Sequence, residues 1–170
     1  ALETWAKELS VIEIPDNDKT KKTIFYTALY HSFIAPNIFY DVDGRYRGAD
    51  LQIHKSEKGS GMYTVFSLWD TFRAAHPLYT LLKPGFAEDL VRTLLTKQKE
   101  GGLLPVWELA GNETGTMIGY HSIPVIADAY VKGLRNFDVH SALDAMILSA
   151  EQDHLGLSSY KQEGYIALEE

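Results

Sequence analysis

The sequence contains no cysteine. Disulfide frameworks and thiolate metal centres are therefore excluded, and the redox compartment stays open. No run of about 18 apolar residues occurs, so no segment reads as a membrane-spanning helix. Positive charge is short: 16 Lys and Arg stand against 23 Asp and Glu, a net charge of -7. A nucleic-acid binder needs a basic face, and this chain does not supply one. There is no H-E-x-x-H of a zinc hydrolase, no phosphate-loop Lys-Ser/Thr and no G-x-S-x-G elbow. The first residues, ALETWAKEL, place Glu3 and Lys7 where a signal peptide would carry its apolar core. A leader, if the protein is secreted, is expected to be already gone.

What is present fits one ordinary domain. In 170 residues, 45% hydrophobic and 23% charged are globular values. Ten Tyr and three Trp supply rings for a core or for stacking on a sugar.

The pattern along the chain is mostly helical. Residues 2–10 predict a short helix. Asp16, Asn17 or Asp18 can cap the next one, whose apolar stripe is Phe25, Leu29 and Phe33, with Ile24 and Ala28 beside it. Pro36 ends it. Residues 37–66 change character: four glycines and short β-prone runs predict a β-hairpin turning near Glu57–Gly61. Helical periodicity returns at Leu68, with Ser67 as a cap. A long helix opens at Pro84, closes on Gly101 and Gly102, and buries Phe86, Leu90, Leu94 and Leu95. Residues 103–115 predict an extended linker. A helix over about 116–132 contains Pro124, where a kink is expected. The next is capped by Asp138, with Leu143, Met146 and Ile147 inward. Paired helices with short connections and one β excursion, without a solenoid repeat, predict an incomplete ring of helical hairpins.

Three strings carry chemistry. In SLWDTFRAAHP, Asp70 and Arg73 share a helix face and can form an i,i+3 ion pair. Alternatively, Trp69 offers a platform for sugar C–H faces while Asp70 accepts hydroxyls. In WELAGNETG, Asn112 and Glu113 either turn the chain or face a ligand, with Gly111 and Gly115 allowing close approach. Seven residues separate His121 from Asp128, which puts both on one helix face. They form a structural pair or look into a cavity. We expect Glu113 and His121 to share a polar cavity with Trp69 and Asp70. DVDGRYRGAD is a poor calcium loop: its glycine comes too early for an EF-hand and the closing Glu is missing. Arg45 and Arg47 are the expected partners of its aspartates.

The strings IFYTALYHSFIAPNIFYDVDGRYRGAD, YTVFSLWDTFRAAHPLYTLL and WELAGNETGTMIGYHSIPVIADAYVKG resemble glycoside hydrolase family 92, the calcium-dependent exo-α-mannosidases. The resemblance runs over nearly the whole chain. It implies a mainly α fold: part of an (α/α)6 toroid with a β insertion near residues 37–66. Residues 1–170 would be a partial catalytic domain, the first half of the toroid. An N-terminal β-sandwich and the second half of the toroid would be its partners. The implied activity is inverting removal of terminal α-linked mannose from glycans such as N-glycans or mannan, in an extracellular or periplasmic setting. The family's Trp-Asp maps onto Trp69 and Asp70 as mannose-binding residues. Arg73, Asn112, Glu113 and His121 lie in family-like strings and are carried as further substrate-binding residues. The family segments E-G-N-x-W-Q-Y, G-N-E-P-x-H-H and G-N-D-D-x-G-Q-M-S-A-W are not in this chain. Catalytic acid, base and Ca2+ ligands are therefore expected beyond Glu170. The alternative reading is a non-catalytic helical module that binds glycan or protein through the same Trp-bearing face.

Overall fold

The computed structural model describes residues 1–56 and 60–168. Among the described residues, eight helices and seven short strands follow in the order α1 (Leu2–Leu9), α2 (Lys19–Ser32), β1 (Asn37–Ile38), β2 (Arg45–Arg47), β3 (Ile53–Lys55), β4 (Tyr63–Thr64) and β5 (Phe66–Ser67). Then come α3 (Leu68–Thr71), α4 (Ala75–Leu82), α5 (Pro84–Gly101), β6 (Trp107–Leu109), β7 (Asn112–Glu113), α6 (Ser122–Val131), α7 (Val139–Glu151) and α8 (Leu157–Glu163). The architecture is a partial helical toroid with a small antiparallel β insertion, as expected.

Helix α5 is the centre. Pro84 opens it at a position whose N–H would be unpaired anyway, and Gly102, at φ +92, leaves it. Its inward face carries Ala87, Leu90, Val91, Leu94 and Leu95, all buried, with Phe86 packed at the margin. Helices α4, α6 and α7 pack around it, and Phe66, Leu68, Tyr79, Val125, Ile126 and Ala145 complete the core. Burying a large apolar side chain contributes about 1.5–3 kcal/mol, so this layer dominates stability. The Tyr79 hydroxyl lies 2.6 Å from the Ser32 carbonyl and 3.0 Å from that of Ala35, fastening the end of α2 to α4. Asp18 caps α2 by accepting from the Thr20 and Lys21 amides.

Several sequence expectations are corrected. The α2 stripe buries only Leu29, with Phe25 and Phe33 half-buried and Ile24 facing out. The segment 68–82 is two helices, because the chain leaves helical hydrogen bonding at Phe72–Ala74. Helix α6 starts at Ser122 rather than near 116. Pro124 therefore falls in its first turn, where no interior hydrogen bond is lost and no kink is required. Asp138 caps α7 as expected, accepting from the Ser141 amide. The buried face of α7 is Ala142, Ala145 and Ser149, while Leu143 and Ile147 are about half exposed. The small residues face the core, and the Ser149 hydroxyl accepts the Leu104 amide at 3.1 Å.

The β excursion is also more elaborate than one hairpin. Strands β2 and β3 form a hairpin that turns at Gly48–Gln52. Strands β1 and β4 pair around its base. The turn expected near Glu57–Gly61 falls largely outside the described residues. Tyr46 and the Ala49 amide donate to Glu100, which anchors the excursion to α5. Residues 103–115, read as a linker, contribute β6 and β7, which join β5 in a three-stranded antiparallel sheet. Ala110 and Gly111 turn between them at φ +50 and +79, the two positive values that a two-residue hairpin demands.

Beneath that turn lies a buried ion pair. Lys97 Nζ, from α5, is 2.7 Å from Glu108 Oε1, from β6, and both side chains are almost fully enclosed. Thr64 Oγ1 lies 3.1 Å from each Glu108 oxygen, and the Gly111 amide donates to Oε1 at 2.7 Å. Thr64 Oγ1 in turn accepts the Ala110 amide at 2.6 Å. An enclosed charge is tolerated only when paired and hydrogen-bonded, and this one is both.

Two tests follow from the core. Lys97→Met leaves the Glu108 carboxylate enclosed without its cation; a loss of about 3–5 kcal/mol is expected in denaturant unfolding of the full-length protein. A loss below 1 kcal/mol would contradict the role given to the pair. His76 is buried on α4, and burial pushes its pKa down from 6.5 to about 4. The unfolded chain therefore takes up a proton between about pH 6.5 and 4 that the folded chain refuses. Stability is full above pH 6.5 and falls as pH drops through that window, by up to about 3 kcal/mol. His76→Phe should flatten this part of the stability–pH curve.

Candidate functional site

Strand β5 ends at Ser67, and the chain turns directly into the single turn of α3. Leu68 is fully buried and pins that turn to the core, while Asp70 points outward. The Ser67 hydroxyl donates to Asp70 Oδ2 at 2.5 Å, which fixes the carboxylate. Oδ1 takes no hydrogen bond from the described residues. The expected Asp70–Arg73 ion pair is not formed. The Arg73 guanidinium instead lies over the rings of Trp69, at 4.8 Å, and Phe72, at 5.1 Å. Cation–π attraction holds it there. Asp70 is thus left as an open acceptor beside a half-buried indole.

His121 joins this group from the far side of the sequence. Its ring meets Trp69 edge-on at 5.0 Å and Phe72 at 4.4 Å. Burial and the neighbouring Arg73 charge push its pKa below the ordinary value. The expected partner Asp128 is engaged elsewhere, with Lys132 at 2.6 Å, and Lys132 also reaches Thr80. His121 and Asp128 are therefore not a pair, because His121 precedes α6 and its ring turns toward α3.

Glu113 plays another part than a cavity-facing carboxylate. Oε2 accepts the Val106 amide at 2.7 Å, and Oε1 accepts those of Trp107 at 3.0 Å and Gly115 at 2.8 Å. The side chain is a clasp that closes the loop after β7 onto β6. Asn112 Nδ2 likewise donates to the carbonyls of Leu109 and Ala110. The sheet links Glu113 to Asp70 only at second hand: Trp107, whose amide Glu113 holds, is the cross-strand partner of Ser67, which donates to Asp70. A Cβ at Gly111 would stand 2.9 Å from the Arg47 carbonyl and 3.3 Å from Phe39, so the close approach serves the excursion.

Clefts lie on the excursion itself. One of about 620 Å³ is lined by Ile38, Tyr40, Arg47 and Ile53 among others, and one of about 510 Å³ by Tyr40, Lys55, Tyr63 and Asp89 among others. Neither includes Trp69, Asp70, Glu113 or His121. In DVDGRYRGAD, Arg45 pairs with Asp43 at 2.6 Å as expected, but Asp50 pairs with His54 and Arg47 donates to the Ala110 carbonyl. Among the described residues no three His, Asp or Glu side chains converge as a metal centre requires. No helix among them is long and apolar enough to cross a membrane. The Lys97–Glu108 pair was missed by sequence reasoning; the only signal was a Lys inside the apolar face of α5.

The helical arc carries Trp69, Asp70, Arg73 and His121 around the α3 turn. The sequence profile of the glycosyl hydrolase family 92 catalytic domain matches residues 1–170. This chain belongs to that family. Its fold superposes on the family GH92 α-mannosidase BT3965 from Bacteroides thetaiotaomicron, solved alone and with mannoimidazole, with a TM-score of 0.90 and 41% identity over 97% of this chain. It also superposes on the family GH92 inverting mannosidase BT2199 from the same organism, with a TM-score of 0.86 and 31% identity over 98% of this chain. The chain spans 22% and 24% of the lengths of those two chains. No curated protein matches it.

Replacing Glu113 by Ala removes the acceptor for three backbone amides. Hydrogen exchange at Val106, Trp107 and Gly115 should accelerate at least tenfold, the equivalent of about 1.4 kcal/mol and within the range of charged hydrogen bonds. Unchanged exchange at all three would contradict the clasp.

Proposed function

We propose that this chain is part of the catalytic domain of an inverting exo-α-mannosidase and supplies one wall of its mannose pocket. The observation that carries the reading is the Trp69–Asp70 pair: an indole platform beside a preset carboxylate with one oxygen open. Trp69 lies against the C–H face of a terminal mannose, and Asp70 accepts from its hydroxyls. Arg73 stacks on the platform, His121 lies against it, and Asn112 and Glu113 fix the adjoining loop.

Inversion at the anomeric carbon requires two carboxyl groups about 6.5–9.5 Å apart, one protonating the leaving oxygen and one activating water. Glu113 cannot serve as either while its oxygens hold backbone amides. Asp70 alone cannot act on both faces of the sugar. The acid and the base therefore come from parts of the full-length enzyme outside this chain. We assign the Ca2+ ligands likewise to the rest of the enzyme; among the described residues no three His, Asp or Glu side chains converge. When bound, calcium would help to distort the sugar toward the planar geometry of the transition state. The substrates we assign are α-mannosides at the non-reducing ends of N-glycans or mannan, met outside the cell or in the periplasm.

The full-length enzyme should release mannose from α-mannobioses and lose that activity with chelator. Asp70→Ala should lower kcat/KM about 10- to 100-fold, matching the roughly 1.5–3 kcal/mol of a charge-assisted hydrogen bond, with Tm unchanged. The isolated 170-residue chain should release none, because positioned acid and base each contribute about 10²–10⁴-fold. Normal turnover in Asp70→Ala would exclude the pocket role.

A further inference from the structure

His121 is the residue of this rim whose role the chemistry leaves open. A histidine that binds a sugar directly must offer a nitrogen to it. Here Nδ1 is sealed from solvent and has no hydrogen-bond partner. The ring meets Trp69 of α3 edge-on and the following Phe72 at a tilt, while Nε2, unlike Nδ1, is not sealed and takes no hydrogen bond from the described residues, so a ring-only and a nitrogen-only replacement distinguish the two roles. Arg73, which caps the same two rings, is the nearby cation. A positive charge on His121 would face that guanidinium, so the imidazole is suited to act as a neutral aromatic plate.

The backbone is shaped around this plate. Gly119 adopts φ +81, and a Cβ there would stand 2.4 Å from His121 Cε1 and 2.9 Å from Nδ1. Gly119 therefore keeps open the space that the ring occupies. Trp69 has no hydrogen bond from its indole to any described residue, and α3 is a single turn. Packing alone sets the angle of the indole. Arg73 is exposed and can leave, whereas His121 is half-buried at the start of α6, whose next residue, Ser122, is fully buried and donates to the Pro105 carbonyl at 2.6 Å.

We infer that His121 is a positioning residue: its ring, not its nitrogens, holds Trp69 in the orientation that receives the mannose C–H face. The inference rests on the mannose-pocket reading above and narrows it, since His121 then touches Trp69 rather than the sugar. A ring-shaped replacement should preserve the function, and a polar one without a ring should not.

The test uses three variants of the full-length enzyme, His121→Phe, His121→Gln and His121→Ala, with kcat and KM measured separately on an α-mannobiose. His121→Phe should keep KM within about twofold of the parent value, while His121→Gln and His121→Ala should raise it about tenfold or more with kcat changed less. Crystal structures of the same variants read the platform without depending on turnover. The Trp69 indole should keep its orientation in His121→Phe and turn in the other two. Rescue by Gln rather than Phe would make His121 a direct hydrogen-bonding ligand and overturn the inference. So would a fixed Trp69 in all three crystal structures, or an unchanged KM throughout. An inactive wild-type enzyme would instead overturn the mannosidase reading, and the indole orientations would still decide the role of His121.

Discussion

The enclosed Lys97–Glu108 pair is the constraint on which the site region depends. Removing two charges from water costs several kcal/mol per ion, which only a close partner and further hydrogen bonds offset. Those partners come from three separate parts of the chain: α5 through Lys97, the excursion through Thr64, and the β6–β7 turn through Gly111. The pair therefore fixes where these three meet. A shift of any one strands a charge, so their relative placement is set far more sharply than apolar packing alone would set it.

That placement passes to the rim by short covalent and hydrogen-bonded steps. Thr64 leads through Val65, at an unusual φ of +68, into β5, and β5 ends at Ser67, which presets Asp70. Glu108 lies across from Phe66 on one side and from Glu113 on the other. Thus the same strand that carries the buried carboxylate aligns both the α3 turn and the loop that Glu113 clasps. Rigidity at the base gives precision at the surface, where Trp69 and Asp70 stand on a helix too short to hold itself.

Much of the fold was legible in the sequence because α5 and its neighbours have strong helical periodicity and unambiguous punctuation: Pro84 to open, Gly102 to close, Asp18 and Asp138 as caps. What the pattern could not show is which of two apolar faces turns inward. On α7 Met146 packs against the core as expected, but Leu143 and Ile147 lost to alanines and a serine, since small side chains allow close approach. The strands β6 and β7 were hidden because two or three residues carry no period, and the strand that β6 joins, β5, lies some 40 residues away. Trp69, Asp70, Arg73 and His121 were legible as a group, and the structure brings Trp69, Arg73 and His121 into contact. The direction of Glu113 was not: a carboxylate in a glycine-rich turn reads the same whether it faces a ligand or its own backbone.

The central claim is that Trp69 and Asp70 face a terminal mannose. A crystal structure of the full-length enzyme with a mannose-configured inhibitor tests it most directly. The expected result is the Asp70 carboxylate within hydrogen-bond distance, about 2.5–3.2 Å, of sugar hydroxyls, with the indole of Trp69 against a C–H face. An inhibitor seated out of reach of both residues, with the rest of the catalytic site assembled around it, would contradict the claim.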